Sequence, residues 1–436
     1  MENQYKITSK QMKKIQHMYK ICLIFTVVLL VPIFVLAKEK VSSKAVIDFY
    51  ADMARVTYED SLNAAKAMDQ AIDTLLAAPS KKTLKKAKDA WLASRGPYQQ
   101  TEVYRFANPI VDAWEGRVNS WPLDEGLIDY VDASYGLENS ENKLYTANVI
   151  AKKLIVIDGK FVNASVINPD FLANTLHEAG GIEANVATGY HAIEFLLWGQ
   201  DLNGVEAGAG NRPYTDYSLK KCTNGHCDRR REYLVAASQL LISDLEEMWA
   251  NWGTQGAARL ALEQMEPKTA IRSMLIGMGS LSFGELAGER MKLGLLLGDP
   301  EEEHDCFSDN THNSHFFDVL GIRNVYTGIY IRPDGKIIDG PSLSDLIEEK
   351  DPAVDAELTK NLSLAMMAVE ALVSHAEGVE AYDQMIRTGN KKGNKMIQDV
   401  IDALTVQAKS IERAISLLDA DSVNSSDGLP EESVFE

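Results

Sequence analysis

The sequence runs to 436 residues, of which 45% are apolar and 25% charged, with a formal net charge of −19. That composition excludes a disordered or fibrous chain, and the length allows about two or three folded units. The acidic surplus excludes nucleic acid as a partner, because phosphate neutralisation needs the opposite charge; it suits an exported protein and the capture of cations.

At the N-terminus Lys6, Lys10, Lys13, Lys14 and Lys20 precede an apolar run from Ile21 to Ala37, and Val35-Leu36-Ala37 has the small-residue ending of a signal-peptidase site. The run has 17 residues and contains Pro32, short for a membrane span. Residues 1–37 therefore read as a cleaved signal peptide. The rival is an uncleaved anchor, the chain's one expected route to a membrane. Cleavage removes five lysines and one glutamate and leaves a net charge of −23.

Residues 44–78 repeat apolar and small side chains at three- and four-residue spacing, among them Ile47, Tyr50, Ala54, Leu62, Ala65, Met68, Ile72 and Leu75, and Pro79 stops the pattern. Helix is likewise expected over 81–106, 170–198, 228–252, 268–297, 353–376 and 393–418. Strand signals are sparse. The best is IYIRPDGKII, residues 329–338, where Pro333-Asp334-Gly335 turns a small hairpin. The fold class is thus all-α, with long helices stacked as bundles because each amphipathic face needs another to bury it. Residues 107–145, 200–227 and 299–315 interrupt the helices and are long enough to be functional loops. The tail from Asp419 to 436 is acidic and expected to be disordered.

Cys222 and Cys227 enclose Thr-Asn-Gly-His, a turn-forming insert, and are expected to form a disulfide in an oxidising compartment, leaving Cys306 over. A metal site from these sulfurs and His226 matches no common zinc spacing.

Within GYHAIEFLLWG, residues 189–199, His191 and Glu194 lie three apart on one helix face. They can direct an imidazole nitrogen and a carboxylate oxygen at a common point, and Gly189 lets another backbone approach the helix start. Taken alone, the pair reads more simply as a core histidine satisfied by a neighbouring carboxylate. A second gathering, His304, Asp305, Asp309, His312 and His315, falls within twelve residues. With Asp318 it offers a second metal site from His304, His312, His315 and Asp318, or else an acidic loop with solvated imidazoles. NSHFFDVL (313–320) parallels GYHAIEFL (189–196), aligning His315 with His191 and Asp318 with Glu194. Glu285 in FGELAGERM echoes Glu102 in QTEVYRF, which hints at duplication. Arg290 is expected to pair with Glu285 or Glu289. Nucleophile elbows, phosphate loops and dinucleotide fingerprints are absent from the sequence.

The segment GYHAIEFLLWGQDL resembles the G-x-H-x-x-E motif of the imelysin-like proteins. ASRGPYQQTEVYRF (93–106), SWPLDEGLIDYVD (120–132), GAGNRPYTDY (208–217), ELAGERM (285–291) and CFSDNTHNSHFFDVLGIRNVYTG (306–328) look like blocks of its iron-regulated protein A branch. The resemblance covers about residues 44 to 418. It implies an exported protein of the periplasm or cell envelope, made of two related four-helix bundles, here 42–235 and 236–418, with the motif near a cleft between them. It carries the motif onto Gly189, His191 and Glu194, and makes Glu102 the expected third ligand, from another helix. The expected function is binding of a divalent metal ion, iron ahead of zinc, in iron uptake or homeostasis, with envelope iron-uptake components as partners. Metal affinity should then fall as pH drops through the histidine range. The alternative is a zinc-dependent metallopeptidase using the same pair, for which neither H-E-x-x-H, H-x-x-E-H nor a recognisable general base is present.

N-terminal sequencing of the protein from an envelope fraction should begin at Lys38-Glu39-Lys40. Recovery of Met1 in a membrane pellet would establish the anchor.

Overall fold

The computed structural model describes residues 40–137 and 139–420. The expected signal peptide, and all of the acidic tail beyond residue 420, lie outside the described residues. The helices that frame the molecule are α1 (Ser43–Ala77), α2 (Lys81–Gln99), α3 (Pro109–Asn119), α4 (Gly189–Trp198), α5 (Cys227–Asn251), α6 (Pro267–Ser280), α7 (Thr311–Thr327), α8 (Pro352–Gly378), α9 (Tyr382–Ile386) and α10 (Lys391–Ala420). Two small antiparallel hairpins supply the strands among the described residues: β1 (Leu154–Ile157) with β2 (Lys160–Asn163), and β3 (Ile329–Ile331) with β4 (Ile337–Asp339). The fold is all-α. No helix among the described residues is long and apolar enough to cross a membrane.

Local chemistry sets the helix ends. Ser42 accepts a hydrogen bond from the Ala45 amide at the start of α1, and Ser80 with Thr83 forms a capping box on α2. The buried stripe of α1, including Val46, Tyr50, Ala54, Met68 and Ile72, packs on α2 and α5. α8 and α10 pack together, and α10 also covers α6 and its continuation, a widened π-helical stretch from Leu281 to Lys292. One hydrophobic cluster draws on residues from Val46 to Leu418, and a second joins Leu286, Met291 and Val319 to α8, α9 and α10. α5 runs unbroken through residues 235 and 236, the expected junction between bundles.

Several local expectations give way to tertiary structure. Residues 170–198 do not form one helix: after short turns the chain extends at His177, Glu178, Gly180 and Gly181 take positive φ, and helix resumes only at Gly189. The interval 107–145 contains α3, capped by Asn108. α7 begins inside the 299–315 interval, so His312 and His315 sit on a helix instead of in a loop. The β1–β2 hairpin turns at Asp158-Gly159, both at positive φ, a type of turn that the sequence LIVIDGKFVN announces.

The irregular segments are fastened by buried charge. Asp129, from the 120–132 block, receives Arg230 of α5 through both oxygens (2.6 and 2.9 Å) and Arg212 of the glycine-rich segment at 2.7 Å. All three are essentially buried. Cys222 and Cys227, joined as a disulfide, close the end of the same segment where α5 begins, and Cys306 is free. Replacing Asp129 by Asn leaves two buried guanidinium groups without their shared anion. It should cost about 3–5 kcal/mol in urea denaturation, and an unchanged midpoint would contradict this account of how the loops are held.

Candidate metal centre

Every residue of α4 is buried. Its first residue, Gly189, has φ +75°, and a Cβ there would lie 2.3 Å from the Val118 carbonyl oxygen. Only glycine allows the end of α3 to approach this closely at that backbone angle. Trp91 Nε1 of α2 donates to the Tyr190 carbonyl at 3.0 Å, so α4 is clamped from two sides.

Here His191 and Glu194 form a buried hydrogen bond, Nδ1 to Oε2 at 3.0 Å. The other Glu194 oxygen accepts from the amide and hydroxyl of Ser308, at 3.0 and 2.6 Å. Glu194 thereby spends both oxygens on its neighbours and fixes the ring of His191, whose Nε2 has no hydrogen-bond partner. This is the geometry in which a carboxylate orients a histidine toward a metal.

The segment 299–310 then brings two more groups against His191. The His304 ring meets the His191 ring at 4.8 Å between centroids and Trp121 at 5.6 Å, and its Nδ1 is also unpartnered. Asp305 follows. Ligand atoms of His191, His304 and Asp305 all lie within 4.8 Å of one another, and none of the three residues is more than 1% exposed. Among the described residues this is the one group of three or more such side chains at metal-binding spacing.

Arg95 of α2 anchors it. Its guanidinium donates to Asp305 at 2.8 and 3.4 Å and to Asn119 at 2.8 Å, and Asn119 approaches His304 Nε2 at 3.5 Å. Asn310 and Ser314 add hydrogen bonds to Asp305. Burial alone would raise the Asp305 carboxyl, but Arg95 outweighs it and holds the group below its ordinary range, as an anion. Burial, aided by Arg95, lowers His191 to about 3; burial, aided by Arg290, takes His304 well below the usual imidazole value. Both imidazoles are neutral, the form that binds metal. Glu194 moves the other way, upward, through burial and the charge of Asp305.

Glu102 is not brought into this group. It lies on the short turn after α2 and binds Arg290 at 2.6 Å; Arg290 also holds Glu285 at 2.8 Å and Asp318 at 3.1 Å. The carboxylates that echo one another in the sequence, Glu102 and Glu285, thus converge on an arginine. The four residues of the expected second site do not gather as a unit either. His304 belongs to the group around His191, Asp318 to Arg290, His312 contacts Asn313 at 3.1 Å, and His315 is buried against Tyr382 with neither ring nitrogen hydrogen-bonded. Arg95 carries the arrangement yet drew no notice in the sequence, although a signal exists: with Leu84, Trp91 and Tyr98 it falls on the apolar phase of α2, where an arginine must be buried and paired.

The structure thus defines an all-helical protein built around a buried histidine–carboxylate centre. Residues 54–411 match the imelysin family profile, and the chain belongs to the imelysin family. It is 20% identical over 353 residues to iron-regulated protein A of Synechococcus elongatus, which covers 76% of each chain. Its fold is similar to the crystal structure of a Parabacteroides distasonis protein described as an iron-regulated protein A precursor, with a TM-score of 0.62, 19% identity, and 88% of this chain and 97% of that one covered. An imelysin-like protein from Psychrobacter arcticum superposes with a TM-score of 0.55 at 15% identity, covering 86% of this chain and 96% of the other.

Gly189→Ala combines a left-handed backbone angle, costing roughly 1–2 kcal/mol, with an overlap against Val118 worth roughly 1–3 kcal/mol. Urea denaturation should register a loss within the sum of those ranges. A variant as stable as the parent would mean that the close approach is not required.

Proposed function

We propose that this protein captures a divalent metal ion outside the cytoplasm, with His191, His304 and Asp305 as ligands and Glu194 orienting His191. The observation that carries the reading is the pair of orphaned imidazole nitrogens, His191 Nε2 and His304 Nδ1, buried beside an anionic carboxylate. An unsatisfied buried polar atom costs about 1–3 kcal/mol, which coordination would offset. Nitrogen and oxygen donors suit iron, zinc and manganese alike. Iron is preferred because the relative from Synechococcus elongatus is an iron-regulated protein, and a role in iron uptake or homeostasis follows from the same similarity. Export rests on the lysine-flanked apolar N-terminus.

The family's peptidase label supports the alternative, a zinc peptidase, less strongly. A metallopeptidase needs a base free to take a proton from bound water. Glu194, the nearest candidate, has both oxygens occupied by His191 and Ser308.

Proton competition should follow Glu194 instead of the histidines. His191 stays neutral down to about pH 3, so no loss of affinity arises at the ordinary histidine value. Glu194, with its pKa raised, holds a proton in the metal-free protein that the metal-bound form sheds, so affinity falls as pH drops through that raised value.

Elemental analysis of protein purified without chelator should find metal in the parent and in Glu102→Gln, and none in His191→Ala or His304→Ala. Glu194→Gln should bind more weakly, by roughly 10–100-fold, and with a flatter pH dependence. Unchanged metal content in both histidine variants would return the centre to a structural contact, and peptide hydrolysis lost in those variants would establish the peptidase.

A further inference from the structure

A polar pocket lies beside the 300–307 segment and is lined by none of the three proposed ligands of the metal centre. Asp201, from the loop after α4, Glu301 and Glu303, from the segment that bears His304, and Asp383, on α9, all line it. Asp309 adds a fifth carboxylate whose charge acts on both Glu303 and Asp383. Glu303 is 1% exposed and Asp383 2%. No oxygen of either carboxylate is in a well-formed hydrogen bond; the Thr311 hydroxyl lies toward Glu303, and the amides of Asp383 and Gln384 toward the Asp383 carboxylate, each offsetting only part of the burial. None of the five is in an ion pair among the described residues, and Arg387, just past α9, is engaged with Glu206.

Two buried carboxylates close to three more thus have no cationic partner among the described residues. Burial and mutual repulsion raise Asp383 to about 6 and Asp309 to about 7. Fully oxygen-donor sites of this charge select hard cations, whereas the imidazoles next door suit transition metals. We propose that this pocket is a separate binding site for a hard divalent cation, calcium in the first place, held by Glu303, Asp383 and Asp201. No three of these carboxylates are drawn to the 4.8 Å spacing of the His191 group, so the ion keeps part of its water shell. Because Glu303 adjoins His304, the cation ties the segment bearing His304 and Asp305 to α9 and to the end of α4. It would brace one side of the metal centre without sharing a ligand with it, and the site stands whether or not that centre takes iron.

Calcium chloride titrated into the full protein after EDTA treatment should give saturable, stoichiometric binding by calorimetry and a rise in Tm. Asp383→Asn and Asp201→Asn should each weaken calcium binding by at least about tenfold while raising the Tm of the cation-free protein, because each removes repulsion. That rise also shows that the variants are folded. His191→Ala should keep the calcium response, which separates this site from the metal centre. Absence of saturable calcium binding in the parent, or binding that survives in both aspartate variants, overturns the proposal. Loss of calcium binding in His191→Ala also overturns it, by placing the ion at the centre instead.

Discussion

Two arginines with no access to water organise this molecule. Arg95 and Arg290 are 1% and 2% exposed, and a buried guanidinium is tolerable only when anions reach it. Arg95 therefore draws Asp305 from the far half of the chain onto α2, and Arg290 gathers Glu102, Glu285 and Asp318 from three separate elements. Hydrophobic burial supplies most of the folding free energy, but it does not by itself dictate which loop reaches which helix. The ion pairs do, and so they fix where the histidines stand.

The same charges tune the histidines. Burial foremost, and then the positive guanidinium groups beside them, disfavour protonation of these imidazoles, so His191, His304 and His315 are all held neutral. Asp305, shared with Arg95, is kept ionised in the same low-dielectric surroundings. In the proposed centre, an anion and neutral imidazoles would thus stand ready before a metal ion arrives. Glu194 occupies the remaining role, with its oxygens spent on positioning.

Much of this was legible in the sequence, for local reasons. The three-residue spacing of His191 and Glu194 puts them on one face of α4, and Gly189 marks a close backbone approach, met here by Val118. The spacing of Cys222 and Cys227 is likewise local. What the sequence does not carry is long-range pairing. Nothing adjacent to Glu102 indicates that Arg290, 188 positions away, will claim it, or that His304 will fold against His191 instead of joining His312 and His315. The break in the expected 170–198 helix had a local signal, Gly180-Gly181, both at positive φ, which the apolar spacing on either side of it outweighed.

Anomalous diffraction from crystals of the iron-loaded protein tests the central claim most directly. The account predicts an iron peak about 2.0–2.3 Å from His191, His304 and Asp305, distances typical of nitrogen and oxygen ligands, with Glu194 outside the coordination sphere and still bonded to His191. A peak coordinated by Glu102 or Asp318, or none near His191, would contradict it.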